Sequence, residues 1–260
     1  MITQSPGPAA LSRWDGLQFR ELDYCDPSEA TVLAADSWRV EDGRTLGLDL
    51  HRARFTAAAE QQAHPVPDEL WPALVSRIPA TGAWFPRIDL EDAAGAPRWL
   101  LRVRPAPARQ GSVVLATAGY DPRREPRTKG PDLAALLSLR SEAQIRGASE
   151  AVILSPDGAI VDGSTSALIW WEADALCVPE PALLRTDSVT ARVILTLAGV
   201  FGVDVLHERR RPEELAGREI WAVNALHGIR IVTDWIDGPA PAQEPGHLRL
   251  WRDRLTALAR

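Results

Sequence analysis

Runs of apolar residues divide the first third of the chain into a few short elements. The run Ala30–Arg39 favours a strand, and Leu48–Ala63 has the spacing of a helix. Trp84–Leu90 and Pro97–Arg104 alternate as strands do, and the turn residues Asp92–Gly95 lie between them. This part of the chain is therefore predicted to combine strands with a helix.

The second half of the chain has a more regular pattern. Leu133–Gly147 and Val189–Phe201 have helical spacing, and Gly246–Arg260 predicts an amphipathic terminal helix. Because Trp170 and Trp171 are neighbours in one strand, we expect one to point inward and the other outward. The strands predicted here are Ala151–Leu154, Ala159–Val161, Ser166–Trp171, Ala175–Val178, Glu219–Val223 and Ile229–Asp234.

These elements together predict an α/β (α+β) protein of two domains. A small N-terminal α/β domain would cover residues 1–108, an interdomain linker residues 109–122, and a larger β-rich domain with outer helices residues 123–260. The segment Tyr120–Pro131 is rich in Pro, Arg and Gly, which predicts a loop directly before the helix that begins at Leu133.

The composition excludes several classes of protein. The 260 residues are 45% apolar and 25% charged, as in globular proteins, and the net charge of −6 disfavours nucleic-acid and anionic-membrane partners. No apolar run could span a bilayer and the N-terminus has no export signal, so we expect a cytoplasmic protein. Cys25 and Cys177 are isolated, which predicts inert thiols and neither a disulfide nor a metal site.

Nearly all of the basic residues are arginines. Of the 29 lysines and arginines, only Lys129 is a lysine. Arginine can replace lysine where a plain positive charge suffices, but its guanidinium stays protonated and is a poor nucleophile. Lys129 is therefore a candidate for covalent chemistry, although composition alone equally allows a surface lysine that survived by chance.

The residues around Lys129 suggest which chemistry this is. An enzyme that uses pyridoxal 5'-phosphate (PLP) needs a lysine for the cofactor aldehyde, an acid at the ring nitrogen and a phosphate site. Asp162 ends a predicted strand 33 residues after Lys129 and is the candidate acid. Ser188–Thr190 opens a helix whose first amides can bind an anion, and Arg54 is the candidate arginine for the phosphate.

In these segments the chain resembles the fold-type IV PLP enzymes, also called class IV aminotransferases. The resemblance extends from about Ser37 to Asp237 and includes a series of motifs in the family's order. They are the phosphate motif H-x-x-R-L/F at His51–Phe55, the lysine at Lys129, the GADEAL and G-x-V-x-E segments at Gly147–Ala151 and Asp157–Asp162, the G-I/V-T-R motif at Ser188–Arg192, and an N-A-L turn at Asn224–Leu226.

The resemblance implies a fold, a cofactor and a set of site residues. It implies a two-domain fold-type IV homodimer that acts on a small amino substrate, with PLP in the cleft between a small N-terminal layer and a larger barrel-like domain. Lys129 would bind PLP as a Schiff base and act as the base at the substrate Cα, while Asp162 would face the pyridine nitrogen. The other expected cofactor-binding residues are Arg54, Ser188, Val189, Thr190, Asn224 and Ala225.

Three positions depart from the family pattern. Asp162 stands where the family has the longer glutamate, Ala167 stands where it has an asparagine, and no tyrosine follows Lys129. The first hypothesis for function is a 4-amino-4-deoxychorismate lyase, which rests on the Asn224–Leu226 turn and on the size of the chain. The alternatives are a branched-chain or D-amino-acid aminotransferase, and a relative that binds PLP without turnover.

Overall fold

The computed structural model describes residues 10–22 and 30–259, so Cys25 lies outside the described residues. The chain divides into two compact units, each described here by itself. The first contains the described residues up to Ala108 together with the short segment Thr128–Pro131. The second contains Arg109–Arg127 and Asp132–Leu258.

The described residues of the first unit form eight strands and two helices. Its strands are β1 (Ala10–Trp14), β2 (Phe19–Glu21), β3 (Thr31–Ser37), β4 (Val40–Glu41), β5 (Arg44–Thr45), β6 (Ala83–Trp84), β7 (Arg87–Ala93) and β8 (Ala96–Val103), and its helices are α1 (Leu48–Gln61) and α2 (Leu70–Ser76). Five strands form an antiparallel sheet in the order β2-β1-β8-β7-β3, and β5-β4-β6 form a smaller sheet. Aromatic and aliphatic side chains of α1, α2 and the larger sheet share one core, centred on Trp38, Phe55 and Trp71.

The second unit is built around one large sheet. Its strands are β9 (Ser112–Thr117), β10 (Glu150–Leu154), β11 (Ile160–Gly163), β12 (Ala167–Glu172), β13 (Ala175–Pro179), β14 (Val205–Glu208), β15 (Ile220–Asn224) and β16 (Gly228–Ile236). Its helices are α3 (Leu133–Ile145), α4 (Val189–Val200) and α5 (Leu248–Ala257), with a 3₁₀ turn at Pro212–Leu215.

The order of these strands explains the shape of the sheet. The order is β11-β10-β9-β16-β15-β12-β13-β14, and the pairs β9–β10, β9–β16 and β13–β14 are parallel while the others are antiparallel. The edge strand β11 also packs against β12 and β13, so the sheet is curled. A mixed α/β chain with a curled, barrel-like sheet in its C-terminal part is the fold class that the sequence predicted.

The segment expected to be a linker differs from that expectation. Residues 109–122 contain β9, which lies inside the large sheet between β10 and β16. The Pro-rich stretch before it made the whole segment resemble a connection, but Val113, Leu115 and Ala116 are buried in the sheet. The sequence reasoning also missed β1, β2, β14 and α2.

The adjacent tryptophans lie on opposite faces of their strand, as expected, but neither face is open to solvent. Trp170 and Trp171 are both buried, with 0% and 4% of their surface exposed. They do lie on opposite faces of β12, but the outer face is covered by the chain end: His247 stacks on Trp171 at 3.7 Å between ring centroids, and Trp251 of α5 packs beside it. Alternation along the strand therefore places the two side chains on different faces, and both faces are buried because α5 and His247 cover the outer one.

Two further findings concern the described residues as a whole. None of their helices is both long and apolar enough to span a membrane. The thiol of Cys177 is buried, is not part of a disulfide, and burial raises its pKa to about 12. A thiol of this kind is protonated at neutral pH and packs as a small apolar side chain, as the sequence predicted for this position.

Candidate active site

Lys129 lies in a segment that is fixed to strand β3 of the first unit. The amide of Ala35 donates a hydrogen bond to the Lys129 carbonyl at 2.7 Å. The next residue, Gly130, has φ +146, and a Cβ there would lie 2.7 Å from the Ala34 Cα. Only glycine permits this approach of two backbones. The chain thereby holds Lys129, which is partly buried, at a defined point beside β3.

One residue further along, β3 carries a fully paired acid. Asp36 is completely buried, and it accepts hydrogen bonds from Arg54 Nε (2.8 Å, to Oδ2) and Arg54 Nη2 (2.8 Å, to Oδ1). His51 Nδ1 lies 2.8 Å from Asp36 Oδ1. His51 and Arg54 are three residues apart in α1 and therefore share the helix face that packs on β3. Arg54 is a buried member of this cluster, whereas its neighbour Arg52 is exposed.

The charges of this cluster shift the pKa values of its members. Burial alone would raise the pKa of Asp36, but the Arg54 charge and the His51 hydrogen bond outweigh burial and hold it well below its usual range. Burial lowers the pKa of His51, and the positive charges of Arg54 and Lys129 lower it further against the opposing effect of Asp36. The ε-ammonium group of Lys129 is thus close enough to affect this cluster, and the first unit brings together Lys129, Arg54 and the unpredicted Asp36.

The second unit contains the predicted acid, Asp162, near the end of β11. Its side chain is 12% exposed. Oδ1 accepts a hydrogen bond from the Gly163 amide at 3.1 Å, while Oδ2 accepts none from the residues that the structure describes. The nearest cation is Arg123 Nη1, 4.0 Å from Oδ2. Burial raises the pKa of Asp162 to about 7, against the lowering effects of Arg123 and Arg185.

The loop that follows Asp162 is organised by a buried ion pair that the sequence analysis did not identify. Glu150 and Arg230 are 0% and 1% exposed and lie 2.8 Å apart. The Glu150 carboxylate also accepts hydrogen bonds from the hydroxyl groups of the three residues Ser164–Ser166 and from the Thr165 amide, at 2.6–2.7 Å. A Cβ at Gly163 would lie 2.6 Å from the Ser166 carbonyl oxygen, so only glycine allows this turn. These contacts fix the backbone next to Asp162.

The same loop is joined to the predicted Asn224–Leu226 turn. Asn224 Nδ2 donates to the Thr165 carbonyl (3.3 Å) and lies 3.2 Å from Ser166 Oγ, while Asn224 Oδ1 accepts from the amides of Leu226 and His227. The Asn224 side chain is therefore used to shape the turn. The amide of Ala225, also in this turn, donates no hydrogen bond within the described residues.

Ser188, Val189 and Thr190 form the start of α4, as predicted. The Ser188 side chain caps the helix by accepting from the Ala191 amide at 3.3 Å. The amides of Val189 and Thr190 donate no hydrogen bonds to the described residues, although both residues are buried. Two such amides at a helix N-terminus favour an anion.

These features suit the groups of PLP. The amides of Val189 and Thr190 match a phosphate, and the open Oδ2 of a buried carboxylate matches a protonated ring nitrogen. In the first unit, Lys129 supplies the amine, and Arg54 presents a guanidinium whose orientation Asp36 fixes. The residues present therefore fit the cofactor.

Sequence reasoning missed four charged residues of these two regions: Asp36, Arg123, Glu150 and Arg230. Three of them carried a usable signal, because an ionisable side chain inside an otherwise apolar strand must be paired. Asp36 lies in TVLAADS, Glu150 begins EAVIL, and Arg230 interrupts GIRIV. Arg123 had no such signal, because it lies in an arginine-rich loop.

The chain was compared with known proteins. The model of the family Amino-transferase class IV matches residues 33–235. No curated protein matches the chain. Solved structures that are similar include a fold IV transaminase from Curtobacterium pusillum, with 21% identity, a TM-score of 0.77 and 96% of each chain covered.

Two other similar structures carry ligands. One is a hypothetical aminotransferase from Mycobacterium tuberculosis bound to α-ketoglutarate and PMP, with 19% identity, a TM-score of 0.80, and 96% of this chain and 98% of that chain covered. The other is a branched-chain aminotransferase from Thermoproteus uzoniensis with norvaline, with 18% identity, a TM-score of 0.78 and 96% of each chain covered. At this level of identity these two structures show a common fold.

The family model covers more than three quarters of the chain, and the resemblance read from the sequence is confirmed. The fold agrees with it. The chain belongs to the class IV aminotransferase family and is an enzyme whose cofactor is pyridoxal 5'-phosphate.

Proposed function

We propose that this enzyme transfers the amino group of an apolar amino acid, of the branched-chain type, to a 2-oxo acid. Membership of the aminotransferase family supports the reaction type. The similar structures support the substrate class, since several of them are branched-chain aminotransferases and one holds α-ketoglutarate. The observation in this chain that carries the proposal is the buried Asp162, whose Oδ2 accepts no hydrogen bond from the described residues and suits a protonated ring nitrogen.

The residues that would hold the cofactor have separate tasks. Lys129 provides the amine for the aldehyde, and Asp162 faces the ring nitrogen. Arg54 and the amides of Val189 and Thr190 bind the phosphate. The Ala225 amide, presented by the Asn224 turn, supplies one more donor.

When bound, PLP supplies an aldehyde that takes up an amino group and a cationic ring that stabilises negative charge at the substrate Cα. Lys129 would take the Cα proton of the amino acid as a general base and hold it for return within the same half-reaction, and a 2-oxo acid would then accept the amino group by the reverse sequence. Asp162, as an anion, keeps the proton on the ring nitrogen. Asp36 holds the Arg54 guanidinium in one orientation, so the phosphate is bound without reorganisation.

The first hypothesis from the sequence, an aminodeoxychorismate lyase, is less well supported than this aminotransferase alternative. It rests on the sequence of the Asn224–Leu226 turn, and the structure gives Asn224 a role within the turn itself. The family model and the similar structures named above are of aminotransferases. Incubation with aminodeoxychorismate provides the decisive test: release of 4-aminobenzoate and pyruvate, without keto-acid formation from any amino acid, would restore the lyase.

The assignment of Lys129 is tested by replacing it with arginine, which keeps the positive charge but is a poor nucleophile. We expect K129R to lose at least about a thousandfold in kcat, the upper range for removing a general base. Borohydride should attach the cofactor permanently to the wild-type enzyme at Lys129, as peptide mapping would detect. An unchanged rate in K129R, or attachment at no lysine, would contradict the assignment. Arg146→Gln, at an exposed ion pair, is the matched control.

The homodimer implied by the resemblance remains part of this proposal. Light scattering of the purified protein should give twice the chain mass of 28.4 kDa. A single-chain mass at working concentration, together with full activity, would contradict it.

A further inference from the structure

Arg123 is a buried cation with an unusual set of contacts. Its side chain is only 5% exposed. Asp121 accepts hydrogen bonds from Arg123 Nε and Nη2, both at 2.8 Å, and from the Arg123 amide at 3.0 Å. One edge of the guanidinium is thus held by a carboxylate, and Nη1 points away from it. Nη1 is buried and has no hydrogen-bond partner among the described residues.

A buried guanidinium nitrogen without a partner is costly in a structural ion pair. Asp162 Oδ2 lies 4.0 Å from Nη1, a distance that is too long for a hydrogen bond but short for an electrostatic contact. Arg123 Nη1 is a hydrogen-bond donor without an acceptor, and Asp162 Oδ2 is an acceptor without a donor among the described residues. These two atoms therefore face each other.

The loop that carries Arg123 is itself held in place. The amides of Arg124 and Glu125 donate to the two carboxylate oxygens of Asp132, both at 2.9 Å, and the Thr186 hydroxyl donates to the Pro126 carbonyl at 3.3 Å. Asp132 is the residue that precedes α3, and Thr186 precedes α4. The position of Arg123 opposite Asp162 is consequently set by a fixed backbone and by Asp121.

We propose that Arg123, oriented by Asp121, is a positioning residue that holds the Asp162 carboxylate as an oriented anion for the ring nitrogen of the cofactor. This inference rests on the proposed function. Asp162 is one methylene shorter than the family's glutamate, and a fixed cation beside Oδ2 compensates for its burial. Replacing Arg123 with a neutral residue removes that cation, so the carboxyl group takes up a proton and can no longer act as a pure acceptor.

Other charges also face Asp162. Arg185 contributes a second positive charge, but its guanidinium donates to the carbonyls of Pro179, Glu180 and Leu183 and belongs to the backbone of that segment. Glu150 contributes a negative charge, which Arg230 neutralises at 2.8 Å. Arg123 is therefore the cation that directs an unused hydrogen-bond donor, Nη1, toward Asp162.

The test compares wild type, R123Q, D121N, D162N and the exposed control R146Q in two measurements. The first is the Kd for PLP at pH 7 and pH 9. The second is the ¹⁵N chemical shift of cofactor labelled at the ring nitrogen, which reports its protonation directly and does not depend on turnover. Folding of each variant is checked by circular dichroism.

We expect R123Q to raise the Kd for PLP about tenfold at pH 7, which is the effect of a change of about one unit in the pKa of Asp162. The loss should be smaller at pH 9, where the carboxyl group ionises without help. The ¹⁵N shift of R123Q should move toward that of D162N, D121N should give a smaller change in the same direction, and R146Q should match wild type.

The outcomes separate this inference from the proposed function. If wild type binds no PLP, both are overturned. If D162N changes the ¹⁵N shift and R123Q does not, Asp162 keeps its role and only the role of Arg123 is overturned. Should R123Q fail to fold, D121N decides, since Asp121 lies at the surface and its replacement leaves the Arg123 charge in place; an unchanged shift in D121N then overturns the inference.

Discussion

Asp36 and Asp162 are buried aspartates in different units, and they differ in almost every other respect. Asp36 accepts two hydrogen bonds from Arg54 and contacts His51, and these partners hold its pKa below the usual range. Asp162 accepts one hydrogen bond from an adjacent amide and has its nearest cation at 4.0 Å, and burial raises its pKa to about 7. Similar burial therefore has opposite consequences for the two acids.

The difference separates a structural acid from an acid that awaits a ligand. Folding provides every partner that Asp36 requires, so this residue orients Arg54 and needs nothing further. Folding leaves Asp162 with an open acceptor and a raised pKa, a combination typical of functional sites. The Glu150 carboxylate supports this distinction, since it is as buried as Asp36 and accepts hydrogen bonds from Arg230, from three hydroxyl groups and from the Thr165 amide, which fix the loop beside Asp162.

The largest expected effect on the free energy of unfolding comes from replacing Asp36, the acid whose partners folding provides. Replacing Asp36 with asparagine removes the buried charge that accepts two hydrogen bonds from Arg54, and we expect a loss of about 3–5 kcal/mol in the free energy of unfolding at pH 7. Because the pKa of Asp36 is lowered on folding, its contribution is present above the unfolded value of 3.8 and is lost as pH falls below it. Denaturant unfolding at pH 7 and pH 3 measures both; an equal difference at the two pH values would contradict the ion-pair explanation.

Replacing Asp162 should increase the free energy of unfolding of the cofactor-free protein, whereas replacing Asp36 should decrease it. Its pKa is raised on folding from 3.8 to about 7, so the carboxylate opposes folding increasingly as the pH rises from 3.8 to about 7 and to a constant extent above that. We expect D162N without PLP to be more stable than wild type by up to about 4 kcal/mol at pH 8, and by less than about 1 kcal/mol at pH 4. With saturating PLP the order should reverse, because wild type binds the cofactor more tightly. A destabilised D162N apo-protein at pH 8 would remove the distinction between the two acids.

The sequence was sufficient for the parts of the molecule that local patterns determine. The strand and helix at Thr31–Ser37 and Leu48–Gln61, the helices α3 to α5 and most strands of the large sheet follow from apolar spacing and turn residues. The candidate residues Lys129, Asp162 and Ser188–Thr190 could be found because each lies at a strand end, a loop or a helix start, and because they occur in the order of a known family.

The sequence could not provide what depends on distant contacts. Strand β9 was hidden behind a Pro-rich stretch, and its burial arises from its neighbours β10 and β16, far away in the chain. The pairing of Glu150 with Arg230 joins residues 80 positions apart, and nothing local indicates it. The contrast between Asp36 and Asp162 was equally hidden, because the partners of a carboxylate are known only once the chain has folded.

The smallest expected effect comes from an exposed ion pair and tests whether burial is the cause of the larger ones. Arg146 and Asp237 lie 3.0 Å apart, as close as many buried pairs, but their side chains are 40% and 84% exposed. Water and salt screen such a pair, so we expect R146Q to change the free energy of unfolding by less than about 0.5 kcal/mol. Chemical denaturation beside D36N at the same pH provides the measurement. If R146Q lowered the free energy of unfolding as much as D36N, short distance alone would explain the stability of these pairs. Burial could then no longer distinguish an acid whose partners folding provides from an acid that is left for a ligand.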